Sequence, residues 1–310
     1  MSLPLTCNKD RWLEAYNMFL ENSDRQQRVG EWIERQFESK VVNILSDRHS
    51  DDIGVKQPLC VLGIGSAEGN QDILQLKQLK SKFSQISATV VEPSRQMILQ
   101  YQDTVHQKSR DFTGIEFEWY NQTYQDFIQL HGIKQKYHLI SMVHSIYCVG
   151  DTDLEEALRE LQDLLEPGGV ILMVVLTDHT GVGKLVNTFP NLATKEQNSA
   201  TNETSTTKSN RLVNSTDVKS ILDKHKIAYT QSEYTEFTDI TACFSEEDTI
   251  TGNILLDGLT QTLDFKTSVS TDVYYKVMDF IKDNMSVRKN QHDSDKLCFD
   301  SVCDILMISK

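Results

Sequence analysis

The sequence predicts a doubly wound α/β fold, a parallel sheet with helices on both faces. Short apolar runs alternate with amphipathic helical stretches between about residues 58 and 176, the rhythm of repeated β–α–β units. A glycine turn directly follows the first of those runs, and Val170–Leu176 is an unbroken seven-residue apolar run that suits a buried strand. Right-handed crossovers then put every strand's C-terminal end, and any ligand, on one edge of the sheet.

The elements follow in order. Residues 11–45 read as helical because Trp12, Tyr16, Phe19 and Leu20, then Val29, Trp32, Ile33 and Phe37, recur at three- and four-residue spacing. Asn22-Ser23-Asp24 between them is a stop and a new N-cap. After the polar break Ser46–Gln57, Leu59–Ile64 is a strand, Gly65–Gly69 a tight turn, and Asp72–Phe83 a helix. Ala88–Val91 is the second strand, running into Glu92-Pro93-Ser94 and a helix over Arg95–Val105. Ile115–Tyr120 is a strand, Tyr124–Leu130 a helix, and His138–Val143 a strand opening into the loop His144–Asp151. Thr152 and Glu155 form a capping box for the helix Leu154–Leu165, which Glu166-Pro167-Gly168-Gly169 closes before the strand Val170–Leu176. The Ser/Thr/Asn/Lys-rich stretch Leu192–Asn210 reads as a mobile surface loop. Ser215–His225 then reads as a helix, Ala228–Phe237 as a strand, Leu255–Leu263 as an apolar run, Val273–Asn284 as a helix and Cys298–Ile308 as a strand.

Composition narrows the function classes. With 310 residues the chain holds one large domain or a core with an appended lobe. A formal charge of −14 argues against a nucleic-acid partner. No apolar run approaches the roughly 18 residues of a membrane helix, and the N-terminus shows no signal-peptide core. The six cysteines form no CxxC pair, which fits reduced thiols in the cytoplasm.

Gly63-x-Gly65-x-x-x-Gly69 after a strand is a nucleoside-binding pattern, since glycine permits a tight turn and close approach of ligand to backbone. Glu92, at the end of the next strand, is placed to accept both ribose hydroxyls. A P-loop sequence is absent, the third glycine comes one position later than in dinucleotide enzymes, and no tyrosine is followed four residues on by lysine. A nicotinamide-dependent oxidoreductase is therefore disfavoured. A cofactor-binding module without catalysis remains a competing class.

The motifs GIGSAEG, VVEPS and LLEPGG resemble those of class I S-adenosylmethionine-dependent methyltransferases over about residues 58–176. The stretches FLENSDRQQ (Phe19–Gln27), LGIGSAEG (Leu62–Gly69), VVEPS (Val90–Ser94), MVHSIYCVGD (Met142–Asp151), TFP (Thr188–Pro190) and TDITACF (Thr238–Phe244) resemble the histamine N-methyltransferase family. That resemblance implies a seven-stranded, mostly parallel, Rossmann-like sheet with a smaller substrate-binding lobe, in a cytoplasmic, monomeric enzyme using S-adenosyl-L-methionine and no metal. The implied domains are residues 1–45, a helical segment over the active site; 46–190, the cofactor-binding core; and 191–310, the substrate lobe with the final strands. The implied cofactor residues are Gly63, Gly65, Ser66, Gly69, Glu92, Ser94, Met97 (where the family has a glutamine), Thr123 or Tyr124, and Val143.

For the acceptor the candidates are Trp12, Tyr16, Arg25, His144, Tyr147, Cys148, Val182, Val186 and Ser301, with His144 and Tyr147 the catalytic pair. The resemblance carries Tyr147 over, whereas His144 and Cys148 stand where the family has a glutamine and a tyrosine, Val182 and Val186 where it has tryptophans and Ser301 where it has an asparagine, so the substrate pocket is diverged. Histidine as a residue type titrates in the range needed to take or relay a proton, which makes His144 the candidate for that role. Arg25 stands where the family has a glutamate for an ammonium group. Two readings stay open. Either Asp24 faces the pocket and the acceptor is a small amine or imidazole compound such as histamine, or Arg25 faces it and grips the carboxylate of an amino acid or imidazole dipeptide.

Overall fold

The computed structural model describes residues 2–49, 57–132, 135–148, 154–190, 192, 212–289 and 295–310. The chain opens with α1 (Lys9–Glu21), N-capped by Asn8, whose side chain accepts from Arg11 N. Then come α2 (Arg25–Trp32) and α3 (Asn43–His49), joined by a π-helical stretch, Ile33–Val42, that buries Ile33, Phe37, Val41 and Val42. The alternating part follows: β1 (Leu59–Ile64), α4 (Asn70–Leu79), β2 (Ile86–Val91), α5 (Arg95–Gln107), β3 (Ile115–Tyr120), α6 (Tyr124–His131), β4 (Tyr137–Val143), α7 (Leu154–Leu164) and β5 (Leu165–Leu176). The remainder is α8 (Gly181–Thr188), α9 (Ser215–Lys224), β6 (Tyr229–Asp239), α10 (Thr249–Thr260), α11 (Phe265–Ser268), α12 (Thr271–Asn284), β7 (Met285–Lys289) and β8 (Asp295–Ser309).

The strands make one sheet in the order β3-β2-β1-β4-β5-β8-β6, with β7 an antiparallel arm on β8. The expected seven strands are that ladder; β7 is additional. Strands β1 to β5 pair in parallel. Beyond them the direction reverses: Gly168 N donates to Lys310 O and Thr177 N to Val302 O, so β8 runs antiparallel to β5. The winding changes sense between β1 and β4, and the C-terminal ends of those strands flank the crevice where such sheets take ligands. Burial in this part is dense; Leu62, Leu139, Ile140, Ile171 and Met173 are fully enclosed, each worth roughly 1.5–3 kcal/mol.

By contacts the chain divides into two units interleaved in sequence. One holds Gln26–Val175, Ser215–Glu233 and Asp304–Lys310; the other holds Met1–Arg25, Leu176–Asn214 and Tyr234–Cys303. In the first, Ile73, Val90, Tyr101 and Phe112 form a cluster against which Phe117 and Trp119 pack. In the second, Leu5, Ala15 and Ile254 are covered by Trp12, Met18 and Leu263.

Several elements depart from expectation. The Glu166–Gly169 turn does not break the chain between helix and strand; β5 already starts at Leu165, and a register shift between the Tyr137 and Leu139 pairings absorbs the turn, with Gly168 at φ 81°. β7 escapes sequence reading because MSVRK has no apolar run and Val287 is exposed. Thr152 of the expected capping box and, apart from Leu192, the expected loop Leu192–Asn210 lie outside the described residues. Among the described residues, no helix is long and apolar enough to cross a membrane.

Candidate functional site

The three motif glycines serve different physical ends. Gly65 leaves β1 with φ 64° and donates to Val91 O at 2.8 Å. A Cβ there would lie 2.5 Å from the Cβ of Ser145, in the loop after β4, so the two strand ends of the crevice meet without room for a side chain. Gly69 donates to Ser66 O at 2.9 Å, sits at φ 78° and starts α4. A Cβ on it would come 2.3 Å from the Tyr101 ring. Gly63 is an ordinary strand residue paired with Val90. Its lack of a side chain makes space for the Asp72 carboxylate, whose Oδ2 would be 2.4 Å from a Cβ.

Glu92 clasps this loop. Its Oε2 accepts from Ala67 N at 2.8 Å and its Oε1 from Ser94 N at 2.7 Å. The residue is 5% exposed. Burial pushes its carboxyl up while the two amide bonds pull it back down. A carboxylate has about four lone-pair directions, so each oxygen keeps acceptor capacity after one amide bond. Ala67 takes φ 48°, a left-handed conformation uncommon for a residue with a side chain, and its bond to Glu92 helps to hold it there.

The other expected cofactor residues lie around this clasp. Ser94 caps α5 by accepting from Met97 N at 3.4 Å, and Met97 is buried. Thr123 caps α6: its hydroxyl accepts from Asp126 N and donates to Asp126 Oδ2 at 2.8 Å. The Tyr124 hydroxyl donates to Glu160 Oε2 at 3.0 Å, so its side chain is spent against α7. Val143 ends β4, half-buried. His144 follows at φ 54° with its backbone N on Val174 O, and its Nδ1 lies 3.1 Å from the Tyr147 hydroxyl. These two expected catalytic side chains are within hydrogen-bond reach of each other. The side chain of Cys148 lies outside the described residues.

In the other unit, Trp12 and Tyr16 stack one helical turn apart, centroids 5.4 Å and planes 10° apart. Val182 and Val186 are buried on α8, and the fully buried Ser301 hydroxyl accepts from Val182 N at 3.1 Å. Arg25 is committed. Its Nε meets Glu236 Oε1 at 3.0 Å and Oε2 at 2.9 Å, its Nη2 meets Oε1 at 2.5 Å, and the guanidinium lies 4.4 Å from the centre of the Phe19 ring. Glu236 is fully enclosed. Asp24 is also engaged, its Oδ1 accepting from Phe237 N at 2.7 Å.

A protein-family model described as a methyltransferase domain matches residues 22–223, more than half of the chain. The chain belongs to the methyltransferase-domain family. It is 28% identical to histamine N-methyltransferase A of Xenopus laevis over 274 residues, 87% of this chain and 86% of that protein. To histamine N-methyltransferase of Danio rerio it is 28% identical over 277 residues, 88% of this chain and 87% of that protein. Carnosine N-methyltransferase 2 of Gallus gallus is 25% identical over 262 residues, 83% of this chain and 74% of that protein.

Four residues of this methyltransferase escaped the sequence reading. Asp72 sits in the first turn of an amphipathic helix and reads as a surface acid; the only hint is the side-chain-free Gly63 nine positions earlier. Asn121 matches a glycosylation sequon, yet its Nδ2 donates to Glu92 O and Pro93 O, both at 2.9 Å, fixing the exit of β2. Ser145, 7% exposed with a hydroxyl that has no partner among the described residues, faces Gly65 from the neighbouring loop. Glu236, partner of Arg25, is 211 residues away in sequence.

Proposed function

We propose that the protein transfers a methyl group from S-adenosyl-L-methionine to a nitrogen of a small amine or imidazole compound such as histamine. The observation that carries the cofactor reading is the Glu92 clasp: a buried carboxylate, anchored by Ala67 N and Ser94 N beside a glycine turn, with lone pairs left for two ribose hydroxyls. The buried hydroxyl of Ser145, at the crevice between β1 and β4 and without a partner among the described residues, fits a polar ligand there. Gly63, Gly65, Ser66, Gly69, Glu92, Ser94, Met97 and Val143 are the holding residues, with Thr123 and Tyr124 setting the turn at the end of β3. The cofactor supplies an electrophilic methyl on a sulfonium. With the cofactor bound, the lone pair of the acceptor nitrogen would take that methyl as the C–S bond breaks, and the nitrogen would then shed a proton. His144, oriented by its contact with Tyr147, takes that proton. Orientation and exclusion of water do the rest.

The acceptor reading draws on the similarity to histamine N-methyltransferases and on charge. Arg25 is matched by Glu236, so it is not a spare cation awaiting a carboxylate. The Trp12–Tyr16 stack offers aromatic faces to an imidazole or a cation. The second reading, a carboxylate-bearing imidazole dipeptide, is favoured by the similarity to carnosine N-methyltransferase 2 and requires Arg25 to leave Glu236. Methyl-labelled S-adenosylmethionine offered with histamine, histidine, carnosine and primary amines tests both. Label on histamine is the expected result. Label on the carboxylates alone establishes the second reading, and no label on any nitrogen acceptor overturns both.

A further inference from the structure

The start of α4 opens on the glycine loop, and its N-cap, Gly69, has no side chain to cover the free amides. Such a helix start is electropositive and favours an anion, above all a phosphate. Asp72 lies in this first turn. Its carboxylate fills the space that Gly63 leaves at the end of β1, shared with the Ser66 hydroxyl, whose Oγ would be 2.6 Å from the same Cβ position. Asp72 and Gly63 line a small cavity together with Gln75, Thr89, Tyr101 and Ser141 among others. Gln75 there donates to Ser141 Oγ at 3.0 Å, and the enclosed Tyr101 hydroxyl has no partner among the described residues. The ionisable groups facing Asp72 are Glu92 from the end of β2 and Tyr101 from α5. Burial pushes the Asp72 carboxyl up to about 7, with the Glu92 charge adding to the rise and the Ser66 hydroxyl opposing it.

We propose that Asp72 is a positioning and specificity-determining residue of the cofactor site: its carboxylate beneath the glycine loop cancels the positive start of α4, so that the loop favours a sulfonium-bearing nucleoside over the uncharged thioether. This rests on the function proposed above. S-adenosylmethionine and S-adenosylhomocysteine share adenosine, amino and carboxylate groups and differ by a methyl and one positive charge, so a charge effect of Asp72 falls on one ligand and a purely structural effect on both.

The test is calorimetric titration of the wild-type protein, Asp72→Asn and Asp72→Glu with each ligand at pH 8. Asp72→Asn is expected to weaken S-adenosylmethionine about tenfold and S-adenosylhomocysteine about twofold or less, with Asp72→Glu recovering part of the loss. Equal loss of both ligands, or no loss, overturns the proposal. The wild-type protein gives a second test that needs no variant. Its ratio of affinities is expected to swing about fivefold toward S-adenosylmethionine from pH 6 to 8 as Asp72 ionises; a flat ratio, or a slope that persists in Asp72→Asn and therefore belongs to Glu92, overturns it. If the wild-type protein binds neither ligand, the function proposed above fails first, a result distinct from equal loss in the variant.

Discussion

Removing the Arg25 guanidinium tests both the architecture around Glu236 and the reasoning on the acceptor. The Glu236 carboxylate is 0% exposed and the Arg25 side chain 14% exposed, with three N···O contacts of 2.5–3.0 Å between them. Arg25→Met keeps the apolar contact with Phe19 and takes the cation away from a carboxylate held out of water, a change that costs about 3–5 kcal/mol in comparable buried pairs. Glu236→Gln made together with it removes that charge, so the double variant is expected to lie within about 1 kcal/mol of the wild-type protein. Urea unfolding followed by circular dichroism, run on the wild-type protein, both single variants and the double, gives the coupling energy directly. A loss below about 1 kcal/mol in Arg25→Met, typical of a solvated surface pair, refutes the reasoning. So does a double variant as unstable as Arg25→Met. Glu236→Gln alone carries the functional corollary: it takes the anionic partner from the guanidinium, and methylation of carboxylate-bearing acceptors is expected to rise relative to histamine.

Three further outcomes follow from the glycine loop. The Asp72 carboxyl, raised from 3.8 to about 7, keeps its proton in the folded chain while the unfolded chain ionises from about pH 4. Stability is therefore expected to fall by about 2–4 kcal/mol as pH rises from 4 to 7 and then level off, and Asp72→Asn should lack that component in denaturation series across the window. Gly65→Ala meets both φ 64° and the Ser145 Cβ at 2.5 Å, and is expected to lower the melting temperature by several degrees; Ser145→Gly in the same chain should relieve the clash and leave about 1 kcal/mol of backbone strain. Glu92→Gln faces two backbone N–H donors with only one acceptor oxygen. It is expected to cost about 1–3 kcal/mol of stability and to abolish measurable cofactor binding by calorimetry.

Much of this fold is legible in sequence because its strands are short apolar runs between glycine and proline signals. β1 and β3 match their expected bounds to the residue, and Gly65, Gly69 and Glu92 sit together as the spacing implies. What stayed hidden depends on long-range pairing. β7 has no apolar pattern of its own and exists because β8 supplies its ladder. Gly63 looks like part of the turn but is shaped by Asp72. Thr123 and Tyr124 follow β3 as expected, and their hydroxyls are already bound to Asp126 and Glu160, which spacing does not reveal. Asp24 and Arg25, the two alternatives for the pocket, are both held by neighbours in β6, Phe237 and Glu236.

The sheet order also sets a timetable for biosynthesis. Strands β1 to β5 emerge from the ribosome in succession and can pair as they appear, but the gap between β5 and β6 is filled by β8, which is translated after both. Until then the apolar run Val170–Leu176 presents an open edge, the kind of surface that templates intermolecular pairing. A nascent chain stalled between β6 and β8 is thus the species most exposed to aggregation, and holdase chaperones are expected to engage it there and let go once β8 has zipped into place.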